Sequence, residues 1–563
     1  MNAPSEKPRF EIALALAGTL SAGAYTAGVL DFLIEALDAW HENGNAPHDV
    51  VLQAASGASG GAVCATLLAG MVRYPFSHRR LGDTALAQTG SGTANPLFEF
   101  WVNRIGLGNF LGHDDLDSDA QAMSILDATR LDTILKEVLG YGGERIRRKY
   151  IADPFRLRFT LTNLRGVPYL LAMKGGTGEG NAMTMHEDTM RFAVTGAGGF
   201  PGAAPWPIGD WRHESVMPYP PDGNDDKYAA WRKLAEAALA SSAVPLLLRP
   251  RETLKEPSDY SGLPLVYPDG STEPARIYGT TPDWGATPPS EYGFATVDGG
   301  LMYDVPLELA RLALVGDDPL QRNQQSHTEP DRAVLMISPL VGGIAPGPSS
   351  ASRVNLLNAP FRLLDAYKNS ARGHPLDLLL ANDPSVGRFL VAPTRGDNSK
   401  VSHGKAIASG ALGGFGGYLA REFRAHDYYL GRRNCQRFLD QYFSLQETNH
   451  LFDGWSADLK NNYRLANGEL PIIPLVDRLR PSPQGNARNE EPLPDWPRGK
   501  CDVEELLPLI ANRADHLYGK LSSEVKLLSC IGMRLGWKFF GRSRLMGFVK
   551  EQFIKGLIAH KLR

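Results

Sequence analysis

Hydrophobic and polar positions alternate in blocks along the chain, and the blocks predict distinct elements. Ile12–Ala17 ("IALALA") is a short unbroken apolar run stopped by Gly18, the pattern of a strand buried on both faces. After "GTLSAG", the apolar residues Val29, Leu30, Leu33, Leu37 and Trp40 recur at helical spacing. Val50–Ala55 is a second apolar run, and the small apolar residues from Gly60 onward predict a second helix. Strand, helix, strand, helix at this spacing predicts an α/β architecture with a mainly parallel sheet. The pattern returns near residue 300, where "FATV" runs into Asp298-Gly299-Gly300, followed by a helix at "PLELARLALV" and a strand at 333–338.

Other stretches read differently. Residues 75–150 predict a helical insertion whose "GTANPLFEFWVNRIGLGNFLG" is apolar enough to line or cover a cleft, a candidate lid. "LRFTLT" alternates with period two and leads through "NLRG" into "VPYLLAM", which predicts a hairpin. Prolines and glycines break residues 196–290 into expected long loops. Beyond about residue 350 the chain reads as mostly helical, with the glycine-rich "SGALGGFGGYL" (409–419) as a flexible lead into a helix. No internal repeat is visible.

Composition narrows the classes. At 563 residues the chain exceeds a single simple core. A net charge of −3 gives no case for nucleic acid. Four cysteines (Cys64, Cys435, Cys501, Cys530) form neither a disulfide framework nor a metal-ligand spacing, so no metal or other cofactor is expected and a reducing compartment fits. The first apolar run is too short for a signal-peptide core, and none approaches the ~20 residues of a membrane span. The expectation is a cytoplasmic protein, at most peripheral to a membrane. The last 44 residues carry ten Lys/Arg against Glu524 and Glu551, a net +8. There, Met546, Val549, Phe553 and Leu557 form an apolar stripe, but Leu545, Phe548 and Ile554 lie off it and Lys550 beside it, favouring a helix packed on the α/β domain over one lying in a lipid interface. Arg432-Arg433 reads as a solvated or structurally paired face, and Cys435 has no visible catalytic partner.

One junction carries chemistry. "GASGG" (57–61) places Ser59 between an apolar strand and a helix of small residues. The same pentapeptide serves as a plain turn, and it also matches the Gly-x-Ser-x-Gly elbow that presents a nucleophilic hydroxyl. A serine needs a base and oxyanion donors. The helix N-terminus, and the Gly60 N–H in particular, suits the oxyanion, while the small residues after Gly57, Ala58 and Gly61 especially, let helix and strand approach closely. None of the 13 histidines has a context that marks it as the base. Asp298, ending a strand before Gly299 and Gly300, is the better candidate.

Three motifs in order, "ALALAGTLSAGAYTAGVLDFLIEAL" (13–37), "GASGG" and "DGGLMYDVP" (298–306), resemble the patatin-like phospholipase family of lipid acyl hydrolases. "AEAALASSAVPLLLRP" (235–250) is similar to that family's small-residue segment between elbow and aspartate. The resemblance implies a three-layer α/β/α catalytic domain over 10–345, with 350–563 as a helical C-terminal region bearing a basic tail. It further implies a Ser59–Asp298 dyad without histidine, a lipid or phospholipid substrate, and no cofactor. The family's first loop, typically Gly-Gly-Gly-x-Arg-Gly, supplies backbone oxyanion donors. Here it reads Gly18-Thr19-Leu20-Ser21-Ala22-Gly23, so Gly18, Thr19, Leu20, Gly23 and Gly60 are the candidate hole. Leu20 does not easily take positive φ, and Ala22 removes the arginine's charge. Asp304 stands where the family often has asparagine.

The expected function is therefore a phospholipase A or lysophospholipase acting through an acyl-enzyme. An acyltransferase of the same fold and a catalytically weak lipid-binding scaffold are the alternatives. A phosphate-loop reading of "GTLSAG" fails because Ala24-Tyr25 follow where Lys and Ser/Thr are required.

Overall fold

The structure is a computed structural model describing residues 7–42, 46–83, 94–171, 181–218, 227–267, 276–318, 330–340, 354–355, 359–373, 387–396, 405–481, 489–524, 537 and 541–563. Cys530 and most of "LGWKFF" (535–540) lie outside the described residues.

The first apolar run forms β1 (Arg9–Leu16), which leads into α1 (Gly23–Glu42), β2 (Asp49–Gly57) and α2 (Gly60–Met71). β1 and β2 pair in parallel, with Leu16 opposite Gly57. Next in the sheet is β3 (Arg148–Leu171), a strand of 24 residues parallel to β2. β4 (Asn181–Thr195) runs antiparallel along β3. α3 (Lys227–Ser241) packs on α2, and β5 (Arg251–Lys255) pairs antiparallel with β6 (Tyr292–Asp298). β7 (Arg332–Ile337) lies parallel to β1 on its other edge, and β8 (Arg388–Val391) extends the sheet beyond β7. The sheet order is β8-β7-β1-β2-β3-β6-β5, mostly parallel, with helices on it as an α/β fold requires.

Two expectations change. Residues 163–166 are not a hairpin turn, because β3 continues through them. The Asn163 side chain accepts from the N–H groups of Arg165 and Gly166, and the chain bulges before resuming its pairing with β4 at Val167. Residues 196–290 are not only loop. They hold α3, whose alanine-rich "KYAAWRKLAEAALAS" favours helix, and the strands Leu263–Tyr267 and Arg276–Thr280 besides β5.

α1 is the pivot of the interior. The helix from Leu20 to Glu42 is long and apolar enough to cross a membrane, yet 94% of its most apolar stretch is buried within the protein. One side meets the sheet and α2. The other meets α4 (Arg421–Gln441), where the backbones come close enough that a Cβ on Gly28 would lie 1.9 Å from Tyr428 O. Charged residues sit inside this contact. Arg432, fully buried, donates to Asp31, to Glu35 (2.6 Å) and to Glu491 (2.6 Å), and His78 Nδ1 lies 2.8 Å from Asp31. Burial by itself would raise the Asp31 and Glu35 carboxyls. Arg432, with His78, outweighs it and holds both below their ordinary range. Arg432 is thus paired and wholly inside, while Arg433 lies at the edge against Glu490.

The C-terminal helix α5 (Arg542–Ala559) turns part of its predicted stripe inward. Leu557 is buried and Met546, Val549 and Phe553 are partly covered, whereas Leu545, Phe548 and Ile558 are exposed. It rests on residues 411–414 and on the helix Val503–Glu524.

Replacing Arg432 with methionine leaves buried carboxylates without their main cation, so stability in urea falls by about 3–5 kcal/mol. The pH dependence gives an independent check. Depressed carboxyl pKa values contribute stability that is full above their unfolded values, near ~4, and lost as pH falls through the folded ones. In Arg432→Met that loss on acidification flattens or reverses, measured as unfolding midpoint against pH.

Candidate active site

The site forms where β2 and β6 reach β3. β4 covers one edge of β3, so β2 and β6 both meet the other, in succession: Gly57 lies opposite Phe159 and Asp298 opposite Leu161. Two residues of strand therefore separate the elbow's register from the aspartate's. Ser59 Oγ donates to Asp298 Oδ2 at 3.1 Å, and each residue is only 4% exposed.

The elbow is strained and braced. Ser59 has φ +52° and ψ −129°, a region that costs on the order of 1–3 kcal/mol for a residue with a side chain. Its N–H donates to Ser241 Oγ at 2.9 Å, and the Ala58 N–H donates to Leu16 O at 3.1 Å. Gly61 must lack a side chain, since a Cβ there would lie 2.3 Å from Leu16 O. Asp298 is fixed on several sides. Its Oδ1 accepts from the Gly300 N–H (2.8 Å), its N–H donates to Ala243 O (2.9 Å), and its carbonyl accepts from Thr162 Oγ1 (2.8 Å). Ser241-Ser242-Ala243 thus touches both members of the pair, a role that the sequence marked only through the family's small-residue segment.

The first loop lies beside the serine. The Gly18 N–H is occupied, donating to Asp304 O at 3.0 Å. The N–H groups of Thr19, Leu20 and Gly60 have no acceptor among the described residues. Leu20 adopts φ +48°, contrary to the expectation that it would avoid positive φ. Its surroundings compel it. Ser21 Oγ donates to Gly414 O (2.5 Å) and accepts from the Gly417 N–H (2.9 Å), and the Leu20 side chain packs against Gly414. Gly414 and Gly417 belong to the glycine-rich 409–419 segment, which here turns through left-handed residues at Leu412 and Gly413 before a short helical turn at Gly416–Leu419.

Trp101, from the 75–150 insertion, covers the loop. A Cβ on Gly23 would lie 2.3 Å from its ring, and one on Gly60 would lie 3.0 Å from it. Gly23 is therefore required for the seat of Trp101. Tyr418, edge-on to Phe110 of the same insertion, lies within electrostatic reach of Asp298. Burial pushes its phenol up, Arg424 opposes this, and the charge of Asp298 adds to it. No feature of the sequence singled out Trp101 or Tyr418. Cys64 and Cys435 are buried thiols pushed up by burial, the opposite of an activated nucleophile. A cavity of about 1010 Å³ lined by Tyr169, Trp211, His213 and Tyr260 lies apart, and neither Ser59 nor Asp298 borders it.

Comparison with known proteins bears on the family of the chain. A family model described as patatin-like phospholipase matches residues 14–311. The chain is 33% identical over 600 residues to the uncharacterized protein y4iI of Sinorhizobium fredii, covering 98% of this chain and 82% of that one. Among solved structures, VipD from Legionella pneumophila aligns over 99% of this chain and 89% of that one, at 11% identity and a TM-score of 0.20, too low to support a structural argument.

Two substitutions test the bracing. Ser241→Ala leaves the buried Ser59 N–H without its acceptor, a cost of about 1–3 kcal/mol. It slows labelling of Ser59 by a fluorophosphonate about tenfold while the circular dichroism spectrum is retained. Gly23→Val expels the Trp101 ring and slows labelling about a hundredfold, the scale of losing one oxyanion donor; adding Trp101→Ala recovers part of the loss.

Proposed function

Because the chain belongs to the patatin-like phospholipase family, we propose that it is a lipid acyl hydrolase of the phospholipase A or lysophospholipase type, with Ser59 as nucleophile and Asp298 as general base. The observation that carries this reading is the buried Ser59 Oγ–Asp298 Oδ2 hydrogen bond of 3.1 Å, beside backbone N–H groups that have no acceptor among the described residues.

Ser59 Oγ attacks the carbonyl carbon of an acyl ester while its proton passes to Asp298 Oδ2. The carbonyl oxygen becomes an oxyanion held by the N–H groups of Thr19, Leu20 and Gly60, with the N-terminus of α2 behind them. Collapse breaks the ester C–O bond, and Asp298 returns the proton to the departing alcohol. Water then attacks the acyl-serine and gives its proton to Asp298. Collapse releases the fatty acid and returns that proton to Ser59. An aspartate is a weak base in water, with a pKa near ~3.9, so geometry and exclusion of solvent have to supply what basicity lacks.

We assign catalysis to residues 10–345 and read the 75–150 insertion as its cover, supported by Trp101 over Gly23 and Gly60. A lipid substrate implies work at a membrane or micelle surface. The second half, 350–563, supports the first loop through Gly414 and Gly417.

The test is ester hydrolysis by wild type, Ser59→Ala, Asp298→Asn and the double variant. Each single change lowers turnover about a thousandfold or more, and the double loses little beyond either, because the two groups act as a unit. Losses that multiply would contradict the dyad. Mapping the fluorophosphonate adduct by mass spectrometry should place it on Ser59.

A further inference from the structure

Asp304 is a buried charged side chain near the dyad that the mechanism above does not use. It is 1% exposed. Its backbone joins two parts of the chain: its C=O accepts from the Gly18 N–H at 3.0 Å, and its N–H donates to Ala371 O at 3.2 Å. Its carboxylate lies close to both reacting groups. A Cβ on Gly300 would lie 2.7 Å from Asp304 Oδ1 and 3.1 Å from Asp298 Oδ1, so the two carboxylates face each other across that glycine. A Cβ on Gly18 would lie 2.2 Å from Asp304 Oδ1 and 3.6 Å from Ser59 Cβ. Asp304 Oδ1 has no hydrogen-bond partner among the described residues, while Oδ2 accepts from Arg372 Nε at 3.0 Å.

Two negative charges this close, both out of water, repel each other strongly. A further negative charge beside the first loop also opposes the oxyanion that the loop has to stabilise. A cation on Asp304 removes both difficulties. We propose that Arg372, at the end of the helix Ala359–Ala371 and outside the family-matched segment, is a positioning residue of the reaction. By pairing with Asp304 it cancels the charge of a carboxylate set beside the dyad, leaving Asp298 as the group that exchanges the proton with Ser59. The proposal rests on the hydrolase reading, and it makes a residue of the second half part of the catalytic electrostatics.

Four proteins decide it: wild type, Arg372→Ala, Asp304→Asn and Asp304→Asn/Arg372→Ala, assayed on one soluble ester, with Ser59→Ala as the blank and thermal unfolding as the check on folding. Arg372→Ala lowers kcat about a hundredfold with KM changed no more than about threefold, since the arginine contacts no reacting atom. Asp304→Asn keeps the shape and removes the charge, so the double variant regains kcat to within about twofold of Asp304→Asn alone. A purely structural brace behaves otherwise: the double variant is no better than Arg372→Ala, and that outcome overturns the proposal. Full kcat in Arg372→Ala overturns it as well. Should Arg372→Ala not fold, the comparison within the Asp304→Asn background remains, where a tenfold or larger cost of removing Arg372 contradicts it. Absence of any Ser59-dependent hydrolysis in wild type would instead refute the hydrolase reading, so the two failures are distinguishable.

Discussion

The geometry of the site depends on the register along one edge of a single strand, Arg148–Leu171. β4 holds the opposite edge, so β2 and β6 are forced end to end along the same line of backbone hydrogen bonds, one parallel and one antiparallel. The elbow leaves β2 opposite Phe159 and Asp298 ends β6 opposite Leu161, which brings a serine and an aspartate 239 residues apart in sequence to 3.1 Å. Register in a sheet moves in whole residues, and a slip by one turns every side chain to the other face. The pairing is therefore kept or lost as a whole, with the bulge at 163–166 falling just past the site rather than within it.

Backbone strain is found where that line ends, since Ser59 and Leu20 both hold positive φ. Ser241 from α3 accepts the Ser59 N–H, and the 409–419 segment clamps the first loop through Ser21 and Leu20. Unfavourable backbone angles persist only where the surroundings over-determine them. Here the surroundings come from two distant parts of the chain, so this arrangement of the first loop exists only in the assembled fold.

The two halves are joined by charge as well as by apolar packing. Arg432 enters the α1–α4 contact with Asp31, Glu35 and Glu491 around it, and desolvating so many charges is favourable only when all of them are paired. Because α1 begins at the first loop, anything that anchors α1 also fixes the direction in which Thr19 and Leu20 present their N–H groups. The same dependence recurs at Asp304 and Arg372, where a residue of the segment that opens with Asp298-Gly299-Gly300 meets one from the second half.

By itself, the amino-acid sequence determined the elements whose signals are local. The unbroken apolar runs set β1 and β2, helical periodicity set α1, and the small residues around Ser59 and the glycines after Asp298 marked the two ends of the site, because close backbone approach leaves no alternative residue. The bulge in β3 was misread as a hairpin because "NLRG" makes an Asx turn either way, and only pairing with β4 decides whether the chain reverses. Tertiary structure alone decided the rest. It set Leu20 at positive φ against its preference and occupied the Gly18 N–H. It placed Trp101 on Gly23, and it buried Arg432 although its neighbours in sequence are polar. Each of these outcomes depends on a partner far along the chain, and local pattern carries no record of which distant group arrives.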